Sequence, residues 1–107
     1  MSQIIIARRY AKALIHLVEK EKLLETIDQD LSSLSQTFEQ SGDLKNFFLD
    51  TKISNSAKST LLKNLLAKLR LDPLVQIFSQ YLLSKKRMVL LSDISTAFSQ
   101  LVHQKLG

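Results

Sequence analysis

The chain contains no cysteine, one proline (Pro73) and two glycines (Gly42 and Gly107). Without cysteine there is no disulfide, no thiolate metal site and no thiol nucleophile; the composition suits a reducing compartment. Two glycines this far apart cannot build the Gly-rich loop that cradles nucleotide phosphates. So little turn chemistry favours long helices over a succession of short strands. No apolar run approaches the ~20 residues of a membrane span. Ile4-Ile5-Ile6 gives way at once to Arg8 and Arg9, so no signal-peptide core is present and no transit peptide is visible. The expected location is the cytoplasm.

What is present is ordinary globular material. The 107 residues, 45% hydrophobic and 23% charged, suffice for one domain that folds without covalent staples. A net charge of +5 permits attraction to nucleic acid, anionic lipid or an acidic protein. The basic residues are scattered, however. Arg8-Arg9 and Lys85-Lys86-Arg87 are the only tight clusters, short of the stripe a nucleic-acid footprint needs. They read as a solvated face.

Hydrophobic spacing predicts six helices. The first, Ile4 to Glu19, has a polar arc of Arg8, Arg9, Lys12, His16 and Glu19. Its apolar arc spans roughly 200°, twice the ~100° needed to lie on one core. Such a helix is either central to its bundle or packs inward on one side and offers the other to a partner. The second runs from Leu23 to about Gln40 on Leu24, Ile27, Leu31, Leu34 and Phe38, with Ser41-Gly42 as its stop. Asp43 is the expected cap of a short third helix, Leu44 to Leu49. Ser54 or Asn55 caps a fourth, with Ala57, Leu61, Leu62, Leu65, Leu66 and Leu69 inward and Lys58, Lys63, Lys68 and Arg70 mostly outside. Asp72-Pro73 marks the start of the fifth, which runs to about Ser84. Its apolar face is again broad, with Leu74, Val75, Ile77, Phe78, Tyr81 and Leu82. The sixth spans Met88 to Leu106, with Ser92-Asp93 leaving its true start open between Val89 and a restart after Ser92. No strand-like alternation appears. The fold class is all-α, a compact six-helix bundle in a single domain covering residues 1–107.

Catalytic and metal chemistry is not legible. His16 and His103 stand alone, without a second ligand at metal spacing. Asp28 and Asp30 lie two apart on a helix and face different ways. None of the many serines has an activated setting. The expectation is a non-enzyme, with no cofactor.

The stretch Ala7-Arg8-Arg9-Tyr10-Ala11-Lys12-Ala13-Leu14 resembles the N-terminal domain of the delta subunit of bacterial F-type ATP synthases. The mitochondrial relative of that subunit is the oligomycin sensitivity-conferring protein. Leu44 to Leu65 (LKNFFLDTKISNSAKSTLLKNL), Asp72 to Leu83 and Lys86 to Phe98 (KRMVLLSDISTAF) resemble later parts of the same domain, in the same order. Two departures stand out. Lys52 occupies a connector position where the family usually has proline. The chain stops at Gly107, where family members continue into a second, C-terminal region that carries much of the contact with the peripheral stalk.

The resemblance implies a six-helix bundle on top of the catalytic head, catalysing nothing itself. It implies a groove between helices one and five that receives the N-terminal helix of an alpha subunit, so that the head is held against the turning rotor during proton-driven ATP synthesis. It also implies peripheral stalk b subunits as partners of the full-length protein, and a peripheral place at the cytoplasmic face of the bacterial plasma membrane. The candidate groove residues are Tyr10, Ala13, Leu14, Leu17, Leu74, Phe78, Tyr81 and Lys85. Residue patterns alone leave Leu14, Leu17 and Leu74 open between groove and core, while the tyrosines suit an interface edge. Two other readings stay open: a small basic nucleic-acid binder using Arg8, Arg9, Lys85, Lys86 and Arg87, and a bundle that self-associates through its first helix.

Overall fold

The computed structural model describes residues 2–18 and 20–107. Six helices follow one another: α1 (Gln3–Leu17), α2 (Lys22–Gln40), α3 (Gly42–Leu49), α4 (Asn55–Lys68), α5 (Pro73–Ser84) and α6 (Leu91–Leu106). A single 3-10 turn, Met88–Leu90, leads into α6. There is no strand among the described residues, and the expected all-α bundle is what forms.

The helix ends follow from local chemistry. Ser2, Ser41, Ser54 and Asp72 each accept a hydrogen bond from a backbone N–H in the first turn of the helix that follows, satisfying donors that have no intrahelical acceptor. Two boundaries differ from those expected. Ser41, not Asp43, caps α3, because its hydroxyl reaches the Leu44 N–H at 3.2 Å. Gly42 is therefore the first residue of α3 rather than part of a stop, and Asp43 sits in the first turn, where a carboxylate suits the helix dipole. The helical part of the α1 sequence ends at Leu17, with Val18 extended; Glu19 lies outside the described residues. In α6 the ambiguous Ser92-Asp93 pair falls inside the first α-helical turn, and the preceding residues are wound as the 3-10 turn.

The core centres on α6. Leu91, Ile94 and Phe98 are fully buried, and both α1 and α2 pack chiefly against this helix. From α1 come Ala7, Ala11, Leu14 and Val18; from α2, Leu24, Ile27, Leu31 and Leu34. Helix α4 packs mainly against α5. Phe48 packs between Phe38, tilted at 5.7 Å, and Phe47, edge-on at 5.6 Å between ring centroids. The buried stripe of α4 is Lys58, Leu62 and Leu66. Lys58 was expected on the outside. Its place four residues before Leu62 puts it on the inward stripe, and its long aliphatic stem fits there. Ala57, expected inward, is exposed.

Polar ties fix helix to helix. The Ser99 hydroxyl donates to the Asp28 carboxylate, joining α6 to α2. The Asp72 N–H donates to Asp30 Oδ2 at 2.7 Å, joining the start of α5 to α2. Ser59 and Gln80 exchange two hydrogen bonds of 2.9 and 3.0 Å, joining α4 to α5. The two neighbouring carboxylates thus serve different elements.

Both α4 and α5 end in a Schellman turn. Leu71 N–H reaches Leu66 O and Arg70 N–H reaches Ala67 O; Arg87 N–H reaches Leu82 O and Lys86 N–H reaches Leu83 O. The residues that enter the left-handed region are Arg70 (φ 55°) and Lys86 (φ 58°), where glycine is usual. A non-glycine residue there costs ~1–2 kcal/mol, against the roughly 0.5–1 kcal/mol that glycine gives back through the unfolded chain. Arg70→Gly should therefore raise stability by up to about 1 kcal/mol, read as a higher midpoint in urea unfolding; a lower midpoint would contradict this account.

Candidate partner-binding groove

Helices α1 and α5 are each seated on other neighbours, α1 on α6 and α5 on α4 and α2. Between them lies an open furrow rather than a tight helix pair. One stretch of it, about 490 Å³, is lined by Ile6, Arg9, Tyr10, Ala13, Tyr81 and Arg87. A second, about 210 Å³, is lined by Leu17, Val18, Lys20, Leu23, Ile27, Asp72 and Leu74. The N-terminal half of α1 lies beside the C-terminus of α5, and Leu17 lies near Leu74, so the two helices run antiparallel. From Ile6 to Leu17 the wall is about 17 Å long at 1.5 Å per residue, or three turns of a docked helix.

Tyr10 forms the floor. Its ring meets Phe78 edge-on at 6.3 Å and Tyr81 at 6.3 Å, spanning the gap that backbone packing leaves open. Cations cover the rings: the Arg87 guanidinium lies 5.6 Å from the Tyr10 centroid and the Lys85 ammonium 5.6 Å from that of Tyr81. With Arg9, they give one end of the furrow a basic rim. Asp72 stands at the other end beside Lys20. The apolar surface between is unusually bare: Leu17 is 61% exposed and Tyr81 48%.

The structure brings most of the expected residues together. Ala13, Leu17, Tyr81 and Lys85 are exposed, and Tyr10 and Leu74 are half-buried. Two expectations need correction. Leu14 is completely buried, because it falls on the same stripe as Ala7, Ala11 and Val18 and points into the core; it cannot touch a partner. Phe78 is all but buried and supports Tyr10 from beneath rather than lining the surface.

Sequence reasoning missed Ile6, Arg9 and Arg87. Ile6, Tyr10, Ala13 and Leu17 stand at helical spacings of four, three and four, and Leu74 and Tyr81 at seven. That second apolar stripe on each helix was the available signal. Among the described residues no group of three His, Asp or Glu is placed to hold a metal ion, and no helix is long and apolar enough to cross a membrane.

The chain is similar in sequence to known proteins over nearly all of its length. The family model of the ATP synthase delta (OSCP) subunit matches residues 6–107. The chain belongs to that family. Similar proteins include "ATP synthase subunit delta" of Nitratidesulfovibrio vulgaris, 33% identical over 105 residues. Those of Trichlorobacter lovleyi and Bacillus thuringiensis are each 30% identical, over 102 and 105 residues. These alignments cover 95–98% of this chain but 57% of each relative, so the chain spans little more than half their length.

The α5 wall depends on its anchor at Asp30, whose carboxylate accepts the Asp72 N–H. Asp30→Ala leaves that part-buried donor unpaired and should cost about 1–3 kcal/mol. Chemical denaturation measures the loss; an unchanged midpoint would show that the wall does not depend on this bond.

Proposed function

We propose that this chain is a non-catalytic adaptor in the stator of a rotary F-type ATP synthase. In this reading the furrow between α1 and α5 receives the N-terminal helix of an alpha subunit, tying the catalytic head to the peripheral stalk and so supporting proton-driven ATP synthesis. It needs no cofactor. Contact with the stalk b subunits is assigned mainly to the C-terminal region that longer relatives carry. The location that follows is peripheral, at the cytoplasmic face of the bacterial plasma membrane and associated with it only through the complex.

The observation that carries the proposal is the uncovered apolar line of Leu17, Tyr10, Ala13 and Tyr81 along two helices that do not close on one another. An amphipathic helix laid into a groove needs apolar walls from two elements and a polar rim, and both are in place. Membership of the delta subunit family supports an ATP synthase component as the occupant, and the alpha-subunit helix is the one this reading assigns.

A second reading draws on one feature of the same furrow. Arg9, Lys85 and Arg87 stand beside Tyr10 and Tyr81, and single-stranded nucleic acid uses basic and aromatic side chains together. Its binding would weaken steeply with salt, whereas apolar burial in the groove is far less sensitive.

Calorimetric titration with the N-terminal ~25 residues of an alpha subunit, at low and high salt, tests the adaptor reading. A furrow this long takes about three helical turns, which that peptide supplies. Saturable binding that survives added salt is expected, weakened about tenfold or more by Leu17→Asp or Tyr81→Asp. Leu106→Asp, at an exposed apolar position on α6, should leave it intact. Binding indifferent to both groove variants, or replaced by salt-sensitive binding of an oligonucleotide, would overturn the adaptor reading.

A further inference from the structure

A second cavity lies away from the groove, where the α3–α4 connector meets the turn after α5. It holds about 390 Å³ and is lined by Phe48, Leu49, Thr51, Ile53, Ser54, Asn55, Lys58, Leu83, Lys86 and Met88. Two lysines line it and no carboxylate does.

Lys58 is the anomaly. Only 7% of it is exposed, and its ammonium has no hydrogen bond or ion pair among the described residues. No side-chain nitrogen sealed from solvent lacks a partner among the described residues, so this ammonium keeps contact with solvent, and its residue lines the cavity. Its position is electrostatically adverse. It lies at the start of α4, whose first turn contains no acidic residue, and a helix N-terminus already carries partial positive charge. The Ser54 hydroxyl accepts the Ala57 N–H and the Ser54 carbonyl accepts the Lys58 N–H. The amides of Asn55 and Ser56, the first two of the helix, have no intrahelical acceptor. Lys86 adds a second positive charge from a left-handed backbone position (φ 58°).

We propose that this cavity is an anion site for a phosphate group, held by the Lys58 and Lys86 ammonium groups and the free amides at the N-terminus of α4. Two cations and no carboxylate suit a phosphate, which carries close to two negative charges at neutral pH, better than a singly charged carboxylate. The Thr51 hydroxyl and the Asn55 amide supply further donors at the rim. Phe48, Leu83 and Met88 provide an apolar floor that weakens competition from water and strengthens each charge contact. A phosphate there would relieve the unfavourable pairing of Lys58 with the helix dipole. The site shares no lining residue with the α1–α5 groove and needs no alpha subunit.

The test is an amide NMR titration of the chain with inorganic phosphate, at constant ionic strength against chloride. Saturable shifts at Asn55, Ser56 and Lys58 are expected. Lys58→Met keeps the buried stem and removes the charge; it should weaken binding about tenfold, as for loss of one charge-assisted hydrogen bond. Lys86→Gly suits the left-handed position and should act in the same direction, which guards against a folding defect in the first variant. Shifts that are absent, that do not saturate, or that persist unchanged in both variants would overturn the site. Sedimentation with vesicles containing phosphatidic acid, against phosphatidylcholine alone, identifies the source of the phosphate: Lys58-dependent co-sedimentation means a lipid headgroup, and its absence beside a positive phosphate titration means a free phosphate.

Discussion

The close seating of α1 on α6 governs the rest of the molecule. It runs through Ala7 and Ala11, both essentially without exposed surface, with Leu14 and Val18 continuing the same stripe. Small side chains bring helix axes together. They also narrow the stripe of α1 that the core can cover, so the rest of its broad apolar arc is left outside. Ile6, Tyr10, Ala13 and Leu17 are that remainder. Helix α5 is committed elsewhere, to α4 through Ser59 and Gln80 and to α2 through Asp30 and Asp72. Neither helix closes on the other, and Tyr10 bridges the floor through Phe78 and Tyr81. The furrow is a consequence of where two helices are anchored.

Its energetic character follows. Fully burying a leucine contributes about 1.5–3 kcal/mol, and Leu17 stands more than half exposed. A docked helix would recover part of that stabilisation, offset by the cost of association. The cations over the Tyr10 and Tyr81 rings add direction, since they sit at one end of the furrow only. Lys86 and Arg87 are consecutive, yet Lys86 lines the phosphate cavity and Arg87 the groove. The Schellman turn that ends α5 therefore forms a wall of both.

Much of this is legible in the sequence. Leucine spacing gives the helices, Asp72-Pro73 gives the start of α5, and the over-wide apolar arcs of the first and fifth helices point to the two walls. What sequence periodicity cannot supply is the direction each arc faces. Leu14 and Leu17 are both leucines on one helix, but only the alanine stripe, once docked on α6, decides that Leu14 is core and Leu17 is surface. Lys58 was misplaced for a related reason. Charge suggests the outside, whereas its position four residues before Leu62 and eight before Leu66 puts it inward, and a lysine stem tolerates that. Arg9 and Arg87 are distant in sequence and meet only through the antiparallel arrangement of α1 and α5.

The central claim is that the α1–α5 furrow seats an alpha-subunit helix. Paramagnetic broadening with a spin label at the middle of that peptide tests it most directly. The account predicts selective loss of the amide signals of Ala13, Leu17, Leu74 and Tyr81. Broadening centred instead on the exposed faces of α2 or α4, with those four signals intact, would contradict it.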